Sequence, residues 1–109
     1  MITLYQIDTK TVEEYQEKNN KPLYRFDLTV KDLTKDIYKL YKPVAQFSTN
    51  DKDEAFEADN IGDNSKILAC KPHHSMSVGD ILKSNKEWFM VSRIGFEKID
   101  GYYLECEEA

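Results

Sequence analysis

A short polar run, from His73 to Asp80, holds the densest set of groups in the chain that could bind or react; it reads HHSMSVGD. Two imidazoles, two hydroxyls and a carboxylate fall within it, and an arginine lies in a strong predicted strand further along the chain. Groups of these kinds hold a phosphate or a polar small molecule when they converge on one point. The candidate ligand-binding residues are His74, Ser75, Ser77, Asp80 and Arg93.

The same run also has a purely structural interpretation, which we favour. Serine and aspartate side chains accept hydrogen bonds from nearby backbone N–H groups, and Gly79 allows a positive φ where the chain reverses. Catalysis by a Ser–His–Asp triad is less favoured, because no G-x-S-x-G motif is present and sequence neighbours seldom form triad geometry. The sequence therefore predicts a turn, with a ligand-binding loop as the alternative and no catalytic residue.

Three patterns that could hold a metal ion are all incomplete. His73 and His74 are adjacent, so in an extended chain their side chains point to opposite faces. Cys70 and Cys106 lack C-x-x-C spacing, and we expect both to be reduced, unlinked and mostly buried. The acidic run at 51–63 lacks a glycine and a final glutamate at the spacing of a calcium loop. We expect no metal and no cofactor.

Exposed tyrosines beside carboxylates are typical of protein interfaces, since a rigid ring anchors the contact and the charges steer the partner. Tyr102 and Tyr103 place one ring on each face of a predicted last strand, so one should face outward. The candidate partner-binding residues are Tyr102, Tyr103, Glu105, Glu107, Asp51, Asp53, Glu54 and Glu57.

The length and the net charge of the chain limit which kinds of protein it can be. A chain of 109 residues suits a single domain, here 1–109, and 20 acidic against 15 basic side chains give a net charge of −5. This charge opposes general DNA binding; Lys31, Lys35 and Lys39 form a stripe on a predicted helix that we expect to be simply solvated. No apolar run is long enough for a membrane span, and the chain opens into a predicted strand, so we expect a cytoplasmic protein.

Hydrophobic periodicity predicts short elements throughout. Predicted strands or extended segments cover 2–7, 23–30, 44–47, 66–70, 81–82, 88–94 and 102–104. Predicted helices cover 11–18, capped by Thr9 or Thr11, 31–41, and a segment that begins at an Asn50 cap and ends near 60. The predicted fold is α+β: a curled antiparallel sheet of four to six short strands, with two or three short helices on one face. Residues 1–64 form a mixed half and 65–109 an antiparallel meander.

Three short motifs in the second half carry a family resemblance: HSMSVGDI at 74–81, WFMV at 88–91 and GF at 95–96. Together they resemble the C-terminal signature of the YodL-like proteins, small domains associated with phages and mobile elements of bacteria. The settings in which that family occurs imply host interaction or element maintenance. Together with the small size, the acidic surface, the exposed tyrosines and the absence of a catalytic constellation, the resemblance favours a non-enzymatic accessory protein of a phage or mobile element. We expect it to bind and modulate a host protein in the bacterial cytosol, such as a defence system. The alternative is a module that binds a small ligand or nucleic acid through residues 73–80.

Overall fold

A computed structural model describes residues 1–62, 65–101 and 104. Within them, six strands form one open sheet in which every neighbouring pair is antiparallel. The strands are β1 (Ile2–Gln6), β2 (Lys42–Phe47), β3 (Ile67–Cys70), β4 (Ile81–Ser84), β5 (Glu87–Ser92) and β6 (Gly95–Ile99). Their order is β3-β2-β1-β4-β5-β6, so β1 is central and β3 and β6 are the edges.

Three short α-helices and a 3₁₀ turn complete the described part of the chain: α1 (Thr9–Asn19), the turn Val30–Asp32, α2 (Lys35–Tyr38) and α3 (Lys52–Ile61). Aspartates rather than the expected Thr or Asn residues begin the two longer helices, because their carboxylates accept hydrogen bonds from first-turn N–H groups. Asp8 accepts from the Thr11 N–H in α1, and Asp51 accepts from two N–H groups of α3. Among the described residues, none of the helices has the length and apolar character needed to cross a membrane.

The sheet is packed on both faces, because alternate residues of a strand point to opposite sides. On one face Ile81 and Met90 join a core that includes residues of α2 and is contacted by α1. On the other face Leu82 and Val91 pack with Ala55 and Ala58 of α3. The α+β class is confirmed, and the helices are divided between the two faces, whereas the sequence-based expectation placed them on one.

The segment at 23–30 is not the predicted strand, and 31–41 is not one helix. Arg25 folds back to donate a hydrogen bond from its guanidinium to the Ile7 carbonyl at 2.7 Å, which holds the segment as an irregular loop. Thr34 then caps the four-residue α2, so the helix starts late. Lys31 falls in the 3₁₀ turn and Lys39 just past α2; the predicted lysine stripe therefore does not share one helix face.

The strong strand predicted at 88–94 ends early. β5 stops at Ser92, the chain turns, and Gly95 opens β6 with a φ of +139°. Ile94, which belongs to the strand predicted at 88–94, lies in this turn with 91% of its surface exposed. Of the strand predicted at 102–104, Tyr102 and Tyr103 lie outside the described residues, while Leu104 is buried in the α1–α2 core.

Candidate functional site

The turn before β4 is built around the buried carboxylate of Asp80. Its Oδ2 accepts hydrogen bonds from the Ser77 backbone N–H and from Gln6 Nε2, both at 2.9 Å. Gly79 has a φ of +93°, which confirms the predicted tight turn, and its carbonyl accepts a hydrogen bond from the Tyr41 hydroxyl. Asp80 and Ser77 therefore have the turn-forming role that the structural interpretation predicts.

Gln6 of β1 is the contact that sequence reasoning missed. Its side chain is buried in the central strand, and the Nε2 amide also donates to the His74 carbonyl at 2.8 Å. Two donors on one amide thereby join the His74 backbone to the Asp80 carboxylate. The alternation of apolar and polar residues gave no sign of the Gln6 contact. Alternation is typical of a strand with one solvent-exposed face, whereas β1 is covered on both faces.

Burial strongly changes the pKa of the carboxyl at the centre of the turn. It raises the pKa of Asp80 from its ordinary value of 3.8 to about 7, and the neighbouring Asp59 charge adds to the rise, although hydrogen bonds from Ser77 and Gln6 oppose it. Burial likewise raises the pKa of the Tyr41 hydroxyl. The carboxyl is therefore close to half-protonated at neutral pH.

His74 lies over this carboxyl as a neutral imidazole. Burial lowers its pKa, and its Nδ1 lies 2.8 Å from the Ser75 carbonyl, to which it donates. The Nε2 atom is then a lone-pair acceptor; it is buried, has no hydrogen-bond partner among the described residues and lies 3.9 Å from Asp80 Oδ1. The edge of the Phe26 ring covers the imidazole at 4.9 Å between centroids.

His73 points the other way and is a cation. Its Nδ1 lies 2.6 Å from the Lys71 carbonyl and its Nε2 lies 2.7 Å from Asp59 Oδ1. Since both oxygens can only accept, both ring nitrogens carry hydrogen. Burial alone would lower the pKa of His73, but these hydrogen bonds and the charges of Asp59 and Asp80 outweigh burial and raise it. The two histidines diverge, as predicted for adjacent residues.

Asp59 of α3 fastens the loop to the helix. Its Oδ1 holds His73, and its Oδ2 accepts the Met76 backbone N–H at 2.7 Å. The Asp59 side chain is only 3% exposed and that of His73 only 9%. In the sequence, Asp59 is one member of the acidic run at 51–63. Its burial depends on a loop contact across 14 residues, for which the local pattern holds no signal.

Cys70 is exposed at the end of β3, not buried as expected. Its Sγ lies 3.5 Å from His73 Nδ1 and 3.3 Å from the Lys71 carbonyl oxygen. No group of three or more metal-ligating side chains occurs in residues 1–62, 65–101 and 104. Cys106 lies outside the described residues.

Arg93 does not join the candidate ligand set. It lies in the β5–β6 turn with an exposed side chain, and its guanidinium faces Asp27 at 3.3 Å. The irregular course of residues 23–30 places Asp27 beside Arg93. The structure thus brings together His74, Ser77 and Asp80. The Ser75 carbonyl joins them by accepting from His74 and from the Ser77 hydroxyl at 2.8 Å.

The acidic candidates on α3 have separate roles. Asp51 is the N-cap, and Glu54 pairs with Lys66 at 3.1 Å while accepting a hydrogen bond from Thr49. Asp53 and Glu57 are exposed. The other partner-binding candidates, Tyr102, Tyr103, Glu105 and Glu107, lie outside the described residues.

An apolar strip accompanies the acids on the outer side of α3. Phe56 is 37% exposed and Ile61 is 72% exposed, while Ala55 and Ala58 face the core. A groove of about 460 Å³ runs beside the end of the helix. It is lined by Glu54, Glu57, Ala58, Ile61, Gly62 and Lys66. We call Asp53, Phe56, Glu57 and Ile61 the α3 surface.

Comparison with known proteins finds no match to this chain among family models, curated proteins or solved structures. The resemblance to the YodL-like proteins therefore rests on sequence patterns, chiefly the motifs at 74–81, 88–91 and 95–96. The activity has to be inferred from the charges, contacts and exposed side chains described above.

Proposed function

We propose that the protein is a non-enzymatic binding module that captures a basic surface of a partner protein through the α3 surface. The observation that carries the proposal is the combination of exposed apolar and acidic side chains on one helix. In line with the resemblance to YodL-like proteins, the partner is a host protein in the bacterial cytosol, such as a component of a defence system.

The α3 surface has the composition of a contact surface. Asp53, Glu57 and Ile61 follow one another at four-residue spacing, so they form a line along the helix with Phe56 beside it. Apolar anchors supply most of the binding energy of an interface, and flanking charges set the partner's sign and raise the rate of association. With a net charge of −5 behind it, this surface favours a basic partner.

The groove beside α3 suits a lysine or arginine from that partner. The alkyl stem of such a side chain can lie against Ile61 while its charged head meets the Glu57 carboxylate. Glu54 is already paired with Lys66, which leaves Glu57 as the acid on this wall that an incoming cation can use. An arginine can engage a carboxylate with two parallel hydrogen bonds, and this geometry fixes the register of the contact.

The polar residues of the 73–80 run support the non-enzymatic part of the proposal, because most of their groups are used inside the protein. The Asp80 carboxylate holds Gln6 and the Ser77 N–H, and Asp59 holds His73. These contacts tie the loop to β1 and to α3. A second candidate function, binding of a small ligand by this loop, is favoured by one observation: the buried Nε2 of His74 has no hydrogen-bond partner among the described residues.

Affinity capture from a bacterial lysate, followed by direct binding to the purified captured protein, tests the proposal with three double variants. The surface variant is Phe56→Ala with Glu57→Gln, and the loop variant is His74→Ala with Arg93→Ala. The matched control, Ile94→Ala with Glu97→Gln, removes the same two kinds of exposed group from the β5–β6 hairpin. All three should remain folded by circular dichroism.

We expect the surface variant to bind the captured protein at least about tenfold more weakly, the other two to bind like the wild type, and added salt to weaken binding. If only the loop variant loses binding, the binding site is the loop at residues 73–80 and not the α3 surface. Equal binding by the surface variant and the control would refute the α3 surface.

A further inference from the structure

Three side chains form a line next to β3: the Cys70 thiol, the His73 imidazole and the Asp59 carboxylate. Sγ lies 3.5 Å from Nδ1, and Nε2 on the far side of the ring lies 2.7 Å from Asp59 Oδ1. A nucleophile, an imidazole within reach and a third group that orients the imidazole constitute the arrangement in which protein thiols are activated. The three residues come from β3, the following loop and α3, so only the folded chain assembles them.

The imidazole presents a positive charge to the sulfur. Its Nδ1–H is donated to the Lys71 carbonyl, 2.6 Å away, and Sγ lies 3.5 Å from the same nitrogen, so the charged ring lies beside the thiol. Cationic groups next to a cysteine favour the anionic, nucleophilic form of sulfur. When the thiol loses its proton it gives up its hydrogen bond to the Lys71 carbonyl, and the charge of the imidazole remains beside the sulfur.

The imidazole is held rigidly while the Cys70 residue is exposed to solvent. The side chains of His73 and Asp59 are only 9% and 3% exposed, and Asp59 is fixed a second time by the Met76 N–H. Cys70 lies on β3, which is an edge of the sheet, and its residue is exposed. A small reagent can therefore reach Sγ without any movement of the array.

We propose that Cys70 is a nucleophilic thiol, activated by His73 and Asp59, that reacts with small disulfides by thiol–disulfide exchange. The thiol proton leaves to water, the Cys70 sulfur attacks one sulfur of the disulfide, and a new S–S bond forms as the old one breaks. The departing thiolate takes up a proton, so that a protein thiol and a disulfide give a mixed disulfide and one free thiol. The exchange modifies the protein itself and does not depend on the α3 surface.

The rate of reaction with 4,4′-dithiodipyridine, a chromogenic disulfide, tests the proposal. The full chain carries Cys106→Ser, so that Cys70 is its single thiol. A peptide of residues 66–74 supplies the same local sequence without the fold. At pH 6, where few ordinary thiols are ionised, we expect the native protein to react at least about fivefold faster than the peptide.

His73→Gln and Asp59→Asn should each lower the reaction rate about fivefold. The first substitution removes the imidazolium cation, and the second removes the carboxylate charge that stabilises this cation. The control is His74→Gln, which makes the same change at the neighbouring histidine, whose ring faces Asp80 instead of Cys70; its rate should match the wild type. A native rate no greater than that of the peptide would overturn the proposal. So would an unchanged rate in a folded His73→Gln variant; if that variant fails to fold, Asp59→Asn and the peptide comparison decide.

Discussion

Replacing Asp80 by Asn should make the protein more stable at neutral pH. The amide oxygen of the introduced side chain can accept the same two hydrogen bonds, from Gln6 and from the Ser77 N–H, that Asp80 Oδ2 accepts now. Its amide nitrogen would face His74 Nε2, an acceptor without a partner among the described residues, across the present 3.9 Å separation from Oδ1. The substitution also removes the charge from a side chain that is only 5% exposed.

The magnitude follows from the pKa of Asp80, which burial raises from 3.8 to about 7. For a raised pKa, the favourable contribution is complete below the unfolded value and is lost as pH rises to the folded value. Each pH unit in this window costs about 1.4 kcal/mol, so the cost reaches about 4 kcal/mol by pH 7. An asparagine has no proton to lose. Its advantage over Asp80 should therefore grow by about 2 kcal/mol between pH 5 and pH 7.

Urea denaturation of the wild type and the Asp80→Asn variant at pH 5, 6, 7 and 8 measures this difference. The other titratable groups that face Asp80, which are Asp59, His73, His74 and Tyr41, occur in both proteins, and the interactions of Asp80 with Asp59 and His73 already contribute to its raised pKa. The control is Asp27→Asn, which removes an exposed carboxylate; it should change the free energy of unfolding by less than about 1 kcal/mol at each pH. A stability advantage of the Asp80→Asn variant that stays constant or shrinks as pH rises would refute the reasoning.

Three further predictions concern backbone packing and nucleic acid. Gly79→Val should destabilise the fold by about 2 kcal/mol or more, because φ is +93° and a Cβ there would lie 2.2 Å from the Arg25 carbonyl oxygen; an unchanged melting temperature would contradict this. Gly101→Ala should cost more than Gly62→Ala in chemical denaturation, because a Cβ at Gly101 would lie 2.1 Å from the Trp88 ring, whereas at Gly62 nothing lies within 4 Å. The protein should not bind random duplex DNA below micromolar concentrations at physiological salt, as fluorescence anisotropy can check, since its net charge is −5 and its lysine stripe is not one helix face.

Local patterns were sufficient for much of the sheet. The alternation at the N-terminus predicted β1, and the V-G-D step predicted the turn at Gly79 and the start of β4. These features depend on residues close in sequence: side-chain period and backbone freedom are local properties. The strand predicted at residues 23–30 is wrong because a contact with a residue distant in sequence decides the structure there. The alternation of these residues is equally regular, but Arg25 bonds the Ile7 carbonyl, and this long-range contact outweighs a weak strand propensity.

The candidate sites show the same division between features that local sequence predicts and features that long-range contacts decide. The sequence by itself determined that His73 and His74 must diverge and that α3 would carry exposed acids, since both follow from the geometry of a single element. Only the tertiary structure decided which acids are buried and what they hold: Asp59 reaches His73 across 14 residues, and Gln6 reaches Asp80 across 74. Burial and pKa depend on neighbours brought close by folding, and no local pattern of residue types encodes those distances.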